Sequence, residues 1–190
     1  SGTVQKSLAA YALSFYQAFG WQFPQAFIDE LLPFSMRELE AYIRQHPRDY
    51  LAYSTLGRLY NIRLLLTAKK DEQIERMLAQ AQTLAPKRLE MPLVLAQRAL
   101  VEGDYVAAAT QAEEGIAKSK KFYELYRVAF IAYSLQGDED KAFRALDEGV
   151  RNGLPLASEK EIGWLAQQYV KRGMLAEAQE WYARIEQIVP

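Results

Sequence analysis

Carboxylate pairs are the first residues in this chain that could do chemistry, because neighbouring acids can transfer protons or bind metal ions. Three such groups are close in sequence: Asp29-Glu30, Glu113-Glu114 and Asp138/Asp140. In helical proteins, acids of this kind are more often solvated helix faces or helix-start charges favoured by the helix dipole. We therefore expect no catalytic residue and no metal site among them.

The chain has a single histidine, His46, and no cysteine among its 190 residues. This composition excludes a His-rich metal site, a disulfide framework, thiol catalysis and an iron–sulfur cluster. His46 precedes Pro47 at a predicted helix end, where a cation suits the C-terminal dipole. No glycine-rich nucleotide-binding, phosphate-binding or hydrolase motif occurs. The sequence predicts a non-enzymatic protein that needs no cofactor.

The charge balance argues against nucleic acid as a partner. The chain carries 23 basic and 24 acidic side chains, a formal net charge of -1, and half of its residues are hydrophobic. That is ordinary globular composition. Its basic clusters are short and lie at predicted turns, so no stripe is available to follow a phosphate backbone.

The N-terminal region contains an uncharged, aromatic-rich segment from Ser7 to Ile28. Glutamines, Gly20 and Pro24 interrupt it, and its most apolar part is too short to span about 30 Å of hydrocarbon. Two interpretations stay open: a buried helix followed by a turn, or an interfacial segment close to a membrane. The start Ser1-Gly2, without methionine, is typical of a cloned piece, and we expect the chain to be a fragment of something longer.

A repeated turn predicts how the remaining chain is organised. The turn motifs begin at Gly103, Gly137 and Gly173, spaced 34 and then 36 residues. Small or apolar residues precede each glycine at the spacing of a helix face, and an alanine opens the segment after it. The glycine lets the chain leave the first helix in a left-handed conformation. Each unit therefore reads as helix, glycine turn, helix.

An earlier unit fits the same pattern with an insertion. Tyr53, Leu56, Gly57 and Tyr60 form a first-helix signature, and the second helix ends before Pro86. About five extra residues stand between Asn61 and Gln73, so either the first helix is longer or the turn is expanded. We interpret residues 1–49 as an atypical N-terminal cap of two or three helices, because terminal repeats lack one neighbour.

These signatures, together with the later Gly-Asp-Tyr-x-x-Ala run at 103–108, resemble the tetratricopeptide repeat (TPR). The resemblance implies an all-α fold: a right-handed superhelix, or solenoid, of antiparallel helix pairs with about ten to eleven helices. It implies four repeats, at about 50–88, 89–122, 123–158 and 159–190, which form one continuous domain after the cap. It also implies that a protein or peptide binds in a concave groove lined by the first, or A, helix of each repeat.

Carried over from the repeat pattern, the groove positions fall on a mixture of apolar and hydrogen-bonding side chains. The candidate partner-binding residues are Arg58, Asn61, Leu93, Gln97, Leu100, Arg127, Ile131, Ser134, Gln167 and Val170. The alternatives are an ordinary solvated helix surface, or a groove filled by the protein's own terminal helix. The carboxylate clamp of chaperone-binding relatives is absent, since Val94, Glu124 and Val128 stand at clamp positions.

The arrangement of aromatic cap, lengthened unit and three tighter repeats also resembles the C-terminal repeat region of bacterial membrane proteins related to O-antigen ligases and polymerases. This resemblance implies the soluble repeat region of a larger envelope protein, tethered to a membrane through missing upstream sequence. The alternative is a free-standing cytoplasmic adaptor, or an assembly factor for a pilus or polysaccharide secretion machine. Trp164 and Trp181 are predicted to pack inside the last unit, whose final helix could expose apolar surface for self-association.

Overall fold

The computed structural model describes residues 25–68, 72–86, 88–156 and 159–188. All regular structure in these ranges is helical, and a π-helical turn, Phe27–Leu31, runs directly into the first of nine α-helices. The helices are α1 (Leu32–Gln45), α2 (Tyr50–Thr67), α3 (Glu72–Leu84), α4 (Glu90–Glu102), α5 (Tyr105–Lys118), α6 (Glu124–Gln136), α7 (Glu139–Arg151), α8 (Glu159–Lys171) and α9 (Leu175–Ile188).

The predicted all-α class is confirmed, and the helix count within the described residues is slightly below the expected ten to eleven. Residues 1–24, on which most of the aromatic segment and part of the cap were predicted, lie outside the described ranges. His46 is exposed and caps the C-terminal end of α1, as its position before Pro47 predicted.

Glycine ends three of the A helices in the conformation that the repeat pattern predicts. Gly103, Gly137 and Gly173 follow α4, α6 and α8 with φ of 82°, 77° and 73°. A side chain is strained in this left-handed region, whereas glycine enters it without a steric penalty. The three recurring turns are therefore confirmed residue by residue.

Aspartate side chains fix three helix starts. Asp49, Asp104 and Asp138 precede α2, α5 and α7, and each accepts a hydrogen bond from the backbone N–H three residues on, at 3.3, 2.9 and 3.0 Å. Such N-caps satisfy one of the donors that a helix start leaves unpaired. The glycine turn and the aspartate cap thus stand next to each other at residues 103–104 and 137–138.

The extra residues of the first repeat lengthen its A helix. Helix α2 has 18 residues, whereas α4, α6 and α8 have 13 each. It ends at Thr67, and its C-cap, Ala68, is a non-glycine residue in the left-handed region with φ of 55°. Of the two alternatives left open by the sequence, the longer helix is the one the structure adopts.

Contacts within the chain divide it into two compact units, the first ending at Gly103 and the second beginning at Asp104. In the first unit a buried cluster joins α1, α2, α3 and α4, and includes Leu39, Leu56, Leu59, Ile74 and Val94. In the second, a buried cluster includes Tyr126, Leu146, Leu165, Tyr169 and Trp181, with Trp164 half-buried against it. Both tryptophans are packing residues, as predicted, and Trp164 reaches beyond the last predicted repeat to Phe130 on α6. The single continuous domain with four repeats stays a prediction.

A tyrosine–carboxylate hydrogen bond recurs where an A helix packs on the helix before it. The hydroxyls of Tyr60, Tyr133 and Tyr169 donate to carboxylates of Glu40, Glu113 and Asp147, which lie 20, 20 and 22 residues earlier. At the remaining junction, between α3 and α4, the equivalent positions carry Ala79 and Ala99. This junction therefore has neither the carboxylate nor the tyrosine at these positions.

Candidate partner-binding face

In the first unit, two of the five candidate residues are structural. Asn61 and Leu93 are only 5% and 2% exposed. The side-chain amide of Asn61 donates to the backbone carbonyl of Val94 at 2.9 Å, which ties α2 to α4. A buried side chain engaged in this way stabilises the helix pair and has no free surface for a partner.

The other first-unit candidates, Arg58, Gln97 and Leu100, are half-buried. The Nε of Arg58 is enclosed and has no hydrogen-bond partner among the residues that the structure describes. Nearby, burial and then the carboxylate of Glu90 raise the pKa of Tyr50, while the charges of Arg88 and Arg58 lower it. The guanidinium of Arg88 lies 5.8 Å from the centre of the Tyr50 ring. This end of the unit holds charges of both signs around an aromatic ring.

In the second unit, Arg127 is already occupied by partners within the protein. Its Nε lies 3.3 Å from a carboxylate oxygen of Glu161, and its guanidinium donates to the carbonyl of Pro155 at 2.5 Å. Phe130 and Trp164 stack with ring centres 4.9 Å apart. These contacts hold α6 beside α8, so Arg127 positions the two helices and its charge is largely satisfied.

The remaining second-unit candidates form an exposed face on α6 and α8. Ile131 and Val170 are 37% and 45% exposed, and Ser134 and Gln167 are exposed polar neighbours. Leu135, one helical turn from Ile131, is 54% exposed and was missed by the repeat pattern. We name this set the apolar strip, after its three aliphatic members; it comprises Ile131, Ser134, Leu135, Gln167 and Val170. Its aliphatic side chains remain exposed to water.

Three of the six acids singled out in the sequence have structural roles. Asp138 caps α7, and Asp140 forms an ion pair with Arg172. Glu113 accepts a hydrogen bond from the hydroxyl of Tyr133. The backbone N–H of Lys141, the largest influence, lowers the pKa of Asp138. Across the described ranges, no three histidine, aspartate or glutamate side chains group closely enough to hold a metal ion.

The longest helix of the described residues, α2, has 18 residues. None of the helices there combines the length and the apolar character needed to cross a bilayer.

Comparisons with known proteins place the fold. No protein-family model matches the chain, and no curated protein matches its sequence. The thermophilic TPR protein TTC0263 from Thermus thermophilus is 17% identical with a TM-score of 0.63, covering 98% of this chain and 92% of that one. A crystal structure of MamA is 16% identical with a TM-score of 0.62, covering 86% and 91%.

A third solved structure, MamA 41-end from Desulfovibrio magneticus RS-1, is 14% identical with a TM-score of 0.60 and covers 95% of this chain and 94% of that one. Identities this low carry no residue role from one protein to another, because one fold serves many functions. They do show the architecture. The chain has a TPR-like fold, in agreement with the repeat signature of its sequence.

Proposed function

We propose that this protein is a non-enzymatic interaction scaffold that binds a protein or peptide partner on the exposed face of its A helices. The observation that carries the proposal is the apolar strip on α6 and α8. Exposed aliphatic groups flanked by Ser134 and Gln167 provide apolar area together with directional hydrogen-bonding groups. The TPR-like fold, which presents such helix faces, supports the same conclusion.

Arg58, Gln97 and Leu100 extend the proposal to the first unit, where their half-buried side chains keep some surface in water. Arg127 is assigned to positioning α6 against α8 because of its bond to Glu161. Asn61 and Leu93 are assigned to packing.

The test is a substitution on the strip with a matched control outside it. A peptide selected from a displayed random library on the purified chain serves as the probe, and calorimetry measures its affinity. The double variant Ile131→Glu, Val170→Glu should bind at least about tenfold more weakly, because two desolvated apolar contacts become charges. Val106→Glu, at a residue 66% exposed on α5, is the control and should bind as the wild type does.

Circular dichroism of all three proteins checks that the fold is retained. Equal affinity of the double variant and the control would remove the strip from the function.

A narrower proposal concerns the source of the chain. We propose that it is the repeat region of a larger bacterial envelope protein of the O-antigen ligase or polymerase kind, tethered by membrane segments upstream. The aromatic-rich N-terminal sequence and the resemblance of its repeat arrangement support this. The alternative is a free-standing adaptor or assembly factor for a pilus or polysaccharide secretion machine.

Fractionation of the native protein separates these two sources. A large species that stays with membranes after a high-salt wash is expected of the envelope protein. A species near 21.7 kDa that leaves the membranes would instead identify the free-standing adaptor.

A further inference from the structure

A cleft of about 340 Å³ opens in the second unit, away from the apolar strip. Helix α6 forms its base with Tyr126, Ala129 and Tyr133, all of which are buried. The walls come from α5 and α7: Glu113, Ile116, Ala117, Lys141, Arg144, Ala145 and Glu148. The volume is at the lower end of the range, roughly 300–1,000 Å³, in which proteins bind small molecules or single side chains.

Two positions of the cleft, Ala129 and Ala145, carry alanine. The following repeat, 36 residues on, has Leu165 in place of Ala129 and Trp181 in place of Ala145. Both of these larger side chains are buried in the hydrophobic cluster of the unit. The protein therefore fills the later junction with its own leucine and indole, whereas the same positions of the earlier junction carry small side chains beneath a surface cleft.

The rim of the cleft carries two kinds of charged side chain. Some already have partners, and others form no ion pair among the described residues. Glu113 accepts the hydroxyl of Tyr133, and Lys141 pairs with Asp138 at 3.3 Å while its ammonium lies 5.2 Å from the centre of the Tyr133 ring. Arg144 and Glu148 are exposed and make no ion pair within the described part of the chain. Glu148 can thus accept a hydrogen bond from an incoming donor.

We infer that this cleft is a second binding site, which takes the indole side chain of a tryptophan presented by a peptide partner. Trp181 shows, within the same unit, that the equivalent position accepts an indole against a tyrosine-bearing A helix. The indole ring would lie against Ile116, Ala117 and Ala145, the wall residues that keep surface in water, and its N–H would donate to the carboxylate of Glu148. An aromatic ring is a strong anchor because it buries a large area with few rotatable bonds.

N-acetyl-L-tryptophanamide is the probe for this inference, with N-acetyl-L-leucinamide as its comparison. In NMR titrations of the whole chain, the tryptophan probe should shift the signals of Ala129, Ala145 and Ile116. A dissociation constant on the order of 1 mM is expected for a single side chain in a half-open cleft. The leucine probe should bind at least about fivefold more weakly, since it lacks both the ring and the N–H donor.

Two variants that copy the following repeat decide whether the cleft is the site. Ala145→Trp and Ala129→Leu each fill it, and each should weaken the tryptophan probe at least about tenfold. Ala176→Trp, which adds an indole at an exposed position of α9, should leave binding unchanged. Circular dichroism checks each fold, and Ala129→Leu decides the matter if Ala145→Trp does not fold. Two outcomes would overturn the inference. One is the absence of any signal shift at 10 mM probe, about ten times the expected dissociation constant. The other is undiminished binding in a folded variant whose cleft is filled.

Discussion

Gly149 lies where α7 packs against Tyr126 with no room for a side chain. A Cβ at this position would come within 2.7 Å of the Tyr126 Cβ and 3.0 Å of a Leu154 methyl. The Tyr126 atom is next to the backbone and cannot rotate away. In an exposed helix, replacing glycine by alanine would add stability of about 1 kcal/mol, so packing and propensity oppose each other here.

We expect packing to win at Gly149. Gly149→Ala should lower the free energy of unfolding by about 1–3 kcal/mol, because the added methyl overpacks the contact. Urea unfolding followed by circular dichroism measures the change. Glu148→Ala, at the exposed neighbour on the same helix, is the control and should change stability by less than about 0.5 kcal/mol. A more stable Gly149→Ala protein would mean that α6 and α7 can move apart without loss.

The raised pKa of Tyr133 predicts how the stability of the protein responds to alkaline pH. Burial, followed by the nearby carboxylate of Glu113, raises the pKa of its hydroxyl above the usual value. The folded protein therefore holds this proton more tightly than the unfolded chain does. The contribution to stability is complete below the unfolded pKa of about 10 and is lost as the pH rises above it.

Unfolding by urea at pH 8, 10 and 11 tests this response. The midpoint should fall between pH 10 and 11 in the wild type, and it should fall less in Tyr133→Phe, which has no proton to lose. Tyr182→Phe is the control, because Tyr182 is 42% exposed, and its midpoints should follow the wild type. Identical pH profiles for the two variants would argue against a role for Tyr133.

Residues whose effect is local were predictable from the sequence, whereas those whose role depends on a neighbouring helix were not. Gly103 and Gly137 could be placed in left-handed turns because only their own backbone matters. Asn61 and Leu93 match the repeat positions for a groove, yet both are buried, and Asn61 donates to the backbone of Val94 on α4. The repeat pattern specifies a face of one helix, and burial is decided by what packs on it.

Helix α7 illustrates how a capping side chain stabilises the start of a helix. Asp138 accepts the backbone N–H of Lys141 and carries a pKa below its ordinary value because of that bond. We expect Asp138→Ala to lower the melting temperature and Asp138→Asn to lower it less, since asparagine also caps helices well. Thermal unfolding followed by circular dichroism ranks the three proteins. If Asn and Ala were equally destabilising, the charge of Asp138 would matter more than its capping bond.

The lengths and junctions of the elements were only partly predictable. The insertion between Asn61 and Gln73 was visible, but a longer helix and a wider turn explain it equally well until the end of α2 at Thr67 is known. The tyrosine–carboxylate hydrogen bonds were not predicted from the sequence, although Tyr60 and Tyr133 each follow their glutamate partner by the same 20 residues. Such spacing becomes meaningful only when the two helices are known to pack together.

At the scale of the whole molecule, each compact unit contains a hydrophobic cluster of its own. Leu39, at the centre of the first unit's cluster, and Leu146, in that of the second, are both fully buried. In repeat proteins, stability is approximately a sum of local and nearest-neighbour contributions. A cavity in one unit should therefore weaken that unit before it affects the other.

Leucine-to-alanine substitutions at these two sites test this independence in a Trp21→Phe background, where the remaining tryptophans, Trp164 and Trp181, report on the second unit. Each substitution should cost its own unit about 2–5 kcal/mol. Leu146→Ala should lower the urea midpoint seen by tryptophan fluorescence, whereas Leu39→Ala should lower only the midpoint of part of the circular dichroism signal. Equal shifts of both signals in both variants would instead show that the two units unfold as one cooperative structure.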